Sequence, residues 1–398
     1  MNEEKWLLPE GIEEFLPQEA NALEDLRRRL LALFATWGYD LVIPPIVEYI
    51  DSLLTGSGND LDLQTFKLID QANGRSLGIR ADMTPQVARI DSHQLSRDCP
   101  NRLCYIGTVI HAQSNDYFRS RSIKQIGAEL FGHAGEDSDI EVISLMLACI
   151  KLLGVEQVHL ELGHVQIYRS LLANAGLSGD EERAYFDALL RKSRPDIEGI
   201  LSTLSLSDAN KRMLLALVNL HGGIEVLPLA RKQLADGGND VRQAIDNLEV
   251  IAKHLAAQYD GFKLHIDLGE LRGYNYHTGI VFTAYAPDHI QAIAQGGRYD
   301  NIGAAFGRSR PATGFSADLR TFIKLDMNAT GSRPGIFSPN PGDKKQSALI
   351  ATLRKSGERV ICGLSNQMGS AAELGCNRII EKTQNGDWVV VVLGEDHE

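Results

Sequence analysis

The chain has 398 residues, 43% apolar and 23% charged, an ordinary globular composition and a length that suits two or three domains. Forty Lys and Arg face 52 Asp and Glu, and the resulting charge of −12 argues against a dedicated nucleic-acid binder, whose affinity rests on cations. Five cysteines without a Cys-x-x-Cys argue against a disulfide scaffold or a structural zinc site, and the longest apolar run, 142–150, is too short to span a bilayer.

The N-terminal Met1-Asn2-Glu3-Glu4-Lys5-Trp6 lacks the basic-then-apolar layout of a signal peptide, so a cytoplasmic protein with no membrane partner is expected. A helix opens after Pro17, with Leu23, Leu26, Leu30, Leu33 and Phe34 at helical spacing, and stops at Gly38. A strand over 39–43 ends at Pro44-Pro45, since proline cannot donate to a ladder. Strands over 65–70 and 76–80 pair around the turn-rich 71–75. Strands over 103–110 and 123–131 flank a polar loop, 112–122, with Asn115, Asp116, Arg119 and Arg121. A helix over 139–153 and a strand over 158–162 follow.

From about 165 to 255 helical spacing dominates, which reads as a helical insertion. Strands resume over 262–268, 279–285 and 290–294. A tight turn is expected at Gly296-Gly297-Arg298-Tyr299-Asp300, then a helix over 317–325. Gly, Pro, Ser and Asn crowd 327–345, a linker signal. A small α/β module, 346–398, closes the chain, with helices near 347–355 and 370–374 and strands at 359–362 and 388–393. Hairpin-linked strands with flanking helices predict an α+β fold on an antiparallel sheet. No phosphate-binding Walker loop, Gly-x-Gly-x-x-Gly or His-Glu-x-x-His is present.

Four clusters carry chemistry. Arg80-Ala81-Asp82-Met83-Thr84 ends a hairpin strand; Gln125 and Glu129 share one strand face; Arg272-Gly273-Tyr274-Asn275-Tyr276-His277 follows an apolar strand; and the glycine pair precedes Tyr299. A pocket uniting Asp82, Thr84, Gln125, Glu129 and Arg272 suits a zwitterion, with acceptors for an ammonium and an Arg fork for a carboxylate. The plain alternative makes Arg80 and Arg89 ion-paired surface groups, Glu129 a solvated carboxylate, and His111 and His277 ordinary histidines. His133 and His164 lie at no metal-ligand spacing and are read as structural; no metal or cofactor is expected.

These residues resemble histidyl-tRNA synthetase, a class II aminoacyl-tRNA synthetase. Ile43-Pro44-Pro45-Ile46-Val47-Glu48 is similar to the first class motif, a dimer element. Tyr105-Ile106-Gly107 with Ser122-Ile123-Lys124-Gln125-Ile126-Gly127-Ala128-Glu129 resembles the second, and Leu271-Arg272-Gly273-Tyr274-Asn275-Tyr276 the histidine signature. Gly296-Gly297-Arg298-Tyr299-Asp300 and Pro311-Ala312-Thr313-Gly314-Phe315 resemble the approach to the third. The likeness spans about residues 8–326, a core domain written as 1–326.

One departure touches the histidine-facing set, His277 standing where the resemblance calls for a tyrosine near the imidazole, and the others gather at the ATP end. His111 and Gln113 stand where the resemblance calls for an α-phosphate arginine and a glutamate, and Thr321 where it calls for a γ-phosphate arginine. Arg320 sits one place early, and Asp318 replaces a glycine. Charge-assisted contacts are worth about 1.5–3 kcal/mol each, so ATP activation is not expected. The histidine-facing set remains: the resemblance gives Asp82, Thr84 and Gln125 to the α-amino group, Arg272 to the carboxylate, and Glu129 to the imidazole N–H, with Tyr276 and His277 alongside.

This combination resembles the regulatory subunits of short-form ATP phosphoribosyltransferase, with which Leu8-Pro9-Glu10-Gly11-Ile12, Arg80-Ala81-Asp82-Met83-Thr84-Pro85-Gln86 and Arg272-Gly273-Tyr274-Asn275-Tyr276-His277-Thr278-Gly279 are in keeping. The resemblance implies a non-catalytic chain that activates a short catalytic subunit and mediates feedback by histidine. It also implies a self-dimer, a hetero-octamer of four catalytic and four regulatory chains, and no tRNA. An active histidyl-tRNA synthetase, or a synthetase-like scaffold that binds no amino acid, are the competing readings.

Overall fold

Pro17, whose missing N–H costs nothing at a helix start, opens the first helix of the computed structural model, Pro17–Thr36. Leu26, Leu30 and Phe34 are its buried stripe, and Gly38, at φ +78°, turns the chain out of it. The structure describes residues 6–55, 59–113, 120–259, 261–274, 276–287, 289–328 and 334–393. Most of the polar loop (114–119), Asn275 and part of the expected linker (329–333) lie outside them. The chain divides into two units, residues 1–16 with 23–329, and residues 330–398 with 17–22.

In the first unit the strands are β1 (Asp40–Leu41), β2 (Val47–Tyr49), β3 (Phe66–Ile69), β4 (Ser76–Ile79), β5 (Asn101–Ile110), β6 (Ser122–Phe131), β7 (Val158–His164), β8 (His221–Gly222), β9 (Phe262–Asp267), β10 (Ile280–Tyr285), β11 (Ala294–Arg298) and β12 (Ala312–Asp318). Nine of them form one sheet in the order β1-β5-β6-β12-β11-β10-β7-β9-β8, and β2-β4-β3 form a small second one. The large sheet is antiparallel except where β1 meets β5 and β7 meets β9. One face is apolar: Ile126, Ala128 and Leu130 of β6 join a core with Val142, Leu145, Met146 and Cys149 of helix Glu136–Leu152. The other face of β6 carries Gln125, Gly127 and Glu129. Between β7 and β9 run six α-helices, from Val165–Ala175 to Asn239–Gln258, and this segment lends the edge strand β8. No helix of the described residues is long and apolar enough to cross a membrane.

The structure corrects five details. The strand expected at 290–294 is absent before Ala294, where 290–293 is a bent stretch of chain, and the turn expected at 296–300 is largely strand, since β11 runs from Ala294 to Arg298. Its glycines answer crowding within the sheet: a Cβ on Gly296 would meet the Gly314 carbonyl, and one on Gly297 the Ile280 carbonyl at 2.6 Å. The helix expected from 317 begins at Leu319, because 312–318 is β12 and Asp318 caps the helix by accepting from Arg320 N–H at 3.0 Å. The expected linker contains β13 (Gly335–Ser338), an interior strand of the second unit. That unit orders β14 (Val360–Cys362), β13, β15 (Cys376–Lys382) and β16 (Trp388–Val392) beside helix Lys344–Lys355. Lastly, the helix expected at 370–374 is a run of turns.

Candidate functional site

The polar face of the large sheet builds a pocket from the hairpin β5–β6 outward. Tyr105 pairs with Gly127, and a Cβ at Gly127 would meet the Tyr105 hydroxyl, so glycine there makes room for the phenol. That hydroxyl donates to Glu129 Oε1 at 2.9 Å. Thr84 Oγ1 stands 3.4 Å from the same oxygen, and the Tyr299 hydroxyl donates to Oε2. Glu129 is 1% exposed, and burial pushes its pKa up to about 8 although the two tyrosine donors pull it down. Facing it, Gly314 leaves the space the carboxylate needs, for a Cβ there would overlap Glu129 Oε2.

Beside this lies a second acceptor. Asp82 Oδ1 takes Thr84 N–H at 3.0 Å, Thr84 Oγ1–H at 3.1 Å and Gln125 Nε2–H at 2.7 Å. Gln125 Oε1 in turn accepts from Met83 N–H at 2.9 Å. Both ends of the Gln125 amide are thereby used, and its work is to hold Asp82.

The third wall is the loop after β9. Gly273, at φ +66°, turns it back so that His277 N–H donates to the Gly273 carbonyl at 2.9 Å. Tyr276 lies 5.0 Å from Tyr299, ring centre to ring centre. Tyr276 Oη and His277 Nδ1 are buried without a partner among the described residues. Burial pushes His277 down to about 4, so the ring is neutral at physiological pH. Arg272 is half-exposed at the mouth, donates to the Tyr285 hydroxyl, and stands 3.5 Å from Glu270 and 3.7 Å from Glu161. The space enclosed is about 190 Å³, lined by Asp82, Thr84, Glu129, Arg272, Tyr276 and His277 among others. Thus six of the seven residues expected around an amino acid line one cavity, and Gln125 supports it from behind. The plain reading fails for Arg80 as well: it is buried and donates to the carbonyls of Pro44 at 2.7 Å and Thr108 at 2.8 Å.

Tyr105, Tyr299 and Glu270 join the site only in the folded chain. The two tyrosines lie inside quoted motifs, but their aim at Glu129 depends on a register that only strand pairing sets. Glu270 is read only once the chain folds back, its carboxylate accepting Arg272 N–H at 2.6 Å.

The residues that depart from the synthetase pattern gather next door, since Asp318 pairs with Gln125 in register. His111 Nε2 lies 3.0 Å from the Ala81 carbonyl. Gln113 is exposed and Thr321 partly so. Asp318 is taken up as a helix cap. Arg320 pairs with Glu13 and stands 4.4 Å over the Phe15 ring, while Lys124 stands 5.7 Å from the same ring. Arg121 donates to the carbonyls of His111 and Ala112 at 2.8 Å and of Glu10 at 3.1 Å. The segment 10–15 of the chain itself thus engages the cations of this end.

Residues 11–322 match a family model described as histidyl-tRNA synthetase, and residues 333–391 one described as the C-terminal domain of ATP phosphoribosyltransferase subunit HisZ. An ATP phosphoribosyltransferase regulatory subunit of Thioalkalivibrio sulfidiphilus is 53% identical over 98% of this chain and 99% of its own length. One of Stutzerimonas stutzeri is 52% identical over 98% of each. Among solved structures, an ATP phosphoribosyltransferase regulatory subunit/histidyl-tRNA synthetase from Bacillus halodurans is similar with a TM-score of 0.79 and 27% identity, over 92% of this chain and 95% of that one. A histidyl-tRNA synthetase from Nostoc sp. shares the fold at a TM-score of 0.75 and 18% identity, over 97% of each chain.

Proposed function

Because the chain belongs to the ATP phosphoribosyltransferase regulatory subunits, a non-catalytic family with a histidyl-tRNA synthetase fold, we propose that it senses free histidine in the Glu129 pocket and relays that occupancy to a short catalytic partner. The observation that carries this reading is an intact zwitterion pocket beside a nucleotide end whose groups are spent on the chain itself. Asp82, fixed by Thr84 and Gln125, takes the α-ammonium. Arg272 takes the carboxylate, Glu129 the imidazole N–H, and Tyr276 and His277 wall the ring. Coupling of this kind needs histidine to bind the active and inhibited states unequally, typically by about 1–3 kcal/mol.

The reading extends to assembly. The open edge near β1 and the small sheet expose Leu41, Ile43, Ile46, Leu68 and Ile69, an apolar area suited to pairing with a second copy. Four such chains with four catalytic chains would complete the hetero-octamer, in the cytoplasm and without tRNA.

The test is calorimetric titration of the isolated chain with L-histidine, then turnover of the partner with and without histidine. Uptake by the wild-type chain, lost in Arg272→Ala, together with histidine-sensitive turnover supports the reading. Absence of heat with unchanged feedback rejects it.

A further inference from the structure

A second and larger cavity, about 530 Å³, opens on the opposite face of the large sheet. Glu129 pairs with Gly314, Gly314 with Gly297, and Gly297 with Val281, so these positions share the face of the first pocket. Ile280 and Arg298, each one residue along, point the other way, and Ile280 pairs with His164. Those three residues form the inner wall of the second cavity, against helix Asn239–Gln258.

The inner wall holds an unused donor. Arg298 is fully engaged, by Asp139, Asp300, Ser138 and the carbonyls of His133 and Gly135. His164, nine-tenths buried, accepts Gln166 N–H on Nδ1 at 3.3 Å, which caps helix Val165–Ala175. A ring nitrogen that accepts bears no proton, so in the neutral imidazole the proton sits on Nε2. Burial, with Arg298 nearby, pushes His164 down to about 3 and keeps it neutral. Among the described residues nothing accepts from Nε2–H.

The same cavity carries carboxylates at its mouth. Glu136 and Asp240 stand at the outer rim. Asp246 is neutralised by Arg231, but among the described residues neither Glu136 nor Asp240 has an ion-pair partner. The cavity therefore offers a neutral donor within and about two uncompensated negative charges outside. Its size is that of a small-molecule site, roughly 300–1,000 Å³.

We propose that this cavity is a second ligand site, for a basic amino acid whose carboxylate accepts from His164 Nε2–H and whose side-chain cation meets Glu136 and Asp240. The site is wired to the first pocket through two residues. Thr278 and Gly279 line it and directly follow Tyr276 and His277. Thr278 N–H donates to the Arg298 carbonyl at 2.7 Å, and the Gly279 carbonyl accepts from Val165 N–H at 3.0 Å. An occupant that shifts this span alters the histidine pocket, and by linkage the reverse holds.

The experiment is calorimetric titration of the full chain with L-arginine, L-lysine and agmatine, repeated with Asp240→Asn and Glu129→Gln. Asp240 is exposed in the first turn of its helix, so Asp240→Asn keeps the fold. The expected result is uptake of L-arginine or L-lysine, weakened about fivefold by Asp240→Asn and kept in Glu129→Gln. Agmatine, which lacks the carboxylate, binds more weakly than L-arginine. No uptake of either amino acid overturns the proposal and leaves the cavity filled by solvent only. Uptake that Glu129→Gln abolishes and Asp240→Asn spares assigns the amino acid to the first pocket and also overturns it. Agmatine binding as tightly as L-arginine removes the role given to His164. These results do not depend on whether histidine occupies the first pocket.

Discussion

Glu129 places a carboxylate oxygen where a Cβ on residue 314 would stand. The two residues pair across β6 and β12, and the absence of a side chain on one is the condition for the charge of the other to enter the sheet. Gly314→Ala is therefore expected to abolish histidine uptake and to destabilise the fold by about 1–3 kcal/mol through overpacking. Calorimetry and urea denaturation read the two effects separately.

Stability should depend on pH through Glu129. An unfolded glutamate titrates near 4.3, while burial raises the folded group to about 8. The folded chain holds a proton that the unfolded chain gives up. The contribution is thus fully present below about pH 4.3 and is lost as pH rises through about 8. Glu129→Gln should match wild type at about pH 5 and exceed it by about 1–3 kcal/mol at about pH 9, while failing to take up histidine. Equal urea midpoints for both chains at the two pH values would count against a buried, protonated Glu129.

Histidine binding should release a proton. At about pH 7 the empty pocket holds Glu129 mostly protonated, and an imidazole N–H favours the carboxylate. Affinity is expected to rise from about pH 7 to about pH 8, with heats that differ between phosphate and Tris buffers. His277, pushed down to about 4 by burial, adds no titration of its own between pH 6 and 7.

Arg272→Ala should weaken histidine binding about 10- to 100-fold, the worth of a charge-assisted contact. It also removes the cation that Glu161 and Glu270 face. Arg272→Lys, with charge but no fork, should recover part of the affinity in the same titration.

His111→Arg should not create histidine-dependent ATP–pyrophosphate exchange. The neighbouring Arg320 is held by Glu13, and Asp318 keeps a carboxylate at the same end. Measurable exchange in that single variant would show the nucleotide end to be less altered than its contacts imply.

Much of this was legible in the sequence, and the failures have physical causes. Asp82, Thr84, Glu129 and Arg272 stand in local motifs, and Gln125 and Glu129 share a face because strand side chains alternate. Gly296 and Gly297 look like a turn in sequence because glycine serves both turns and crowded sheets, and only the Gly314 and Ile280 carbonyls next to them tell the two apart. β13 was hidden by the Gly-Pro-Ser composition around it, though its four residues, Gly335–Ser338, lie between β14 and β15. The Tyr299–Glu129 bond spans 170 positions of sequence and no local pattern announces it.

Three donors converge on Oδ1 of Asp82, and among the described residues none reaches Oδ2. The carboxylate is thereby oriented by the chain itself at the wall of the cavity. An arriving ammonium gains a bond there without breaking one inside the chain, so little reorganisation opposes it. On the proposed reading, the cradle for the α-ammonium is thus shaped in advance of its ligand.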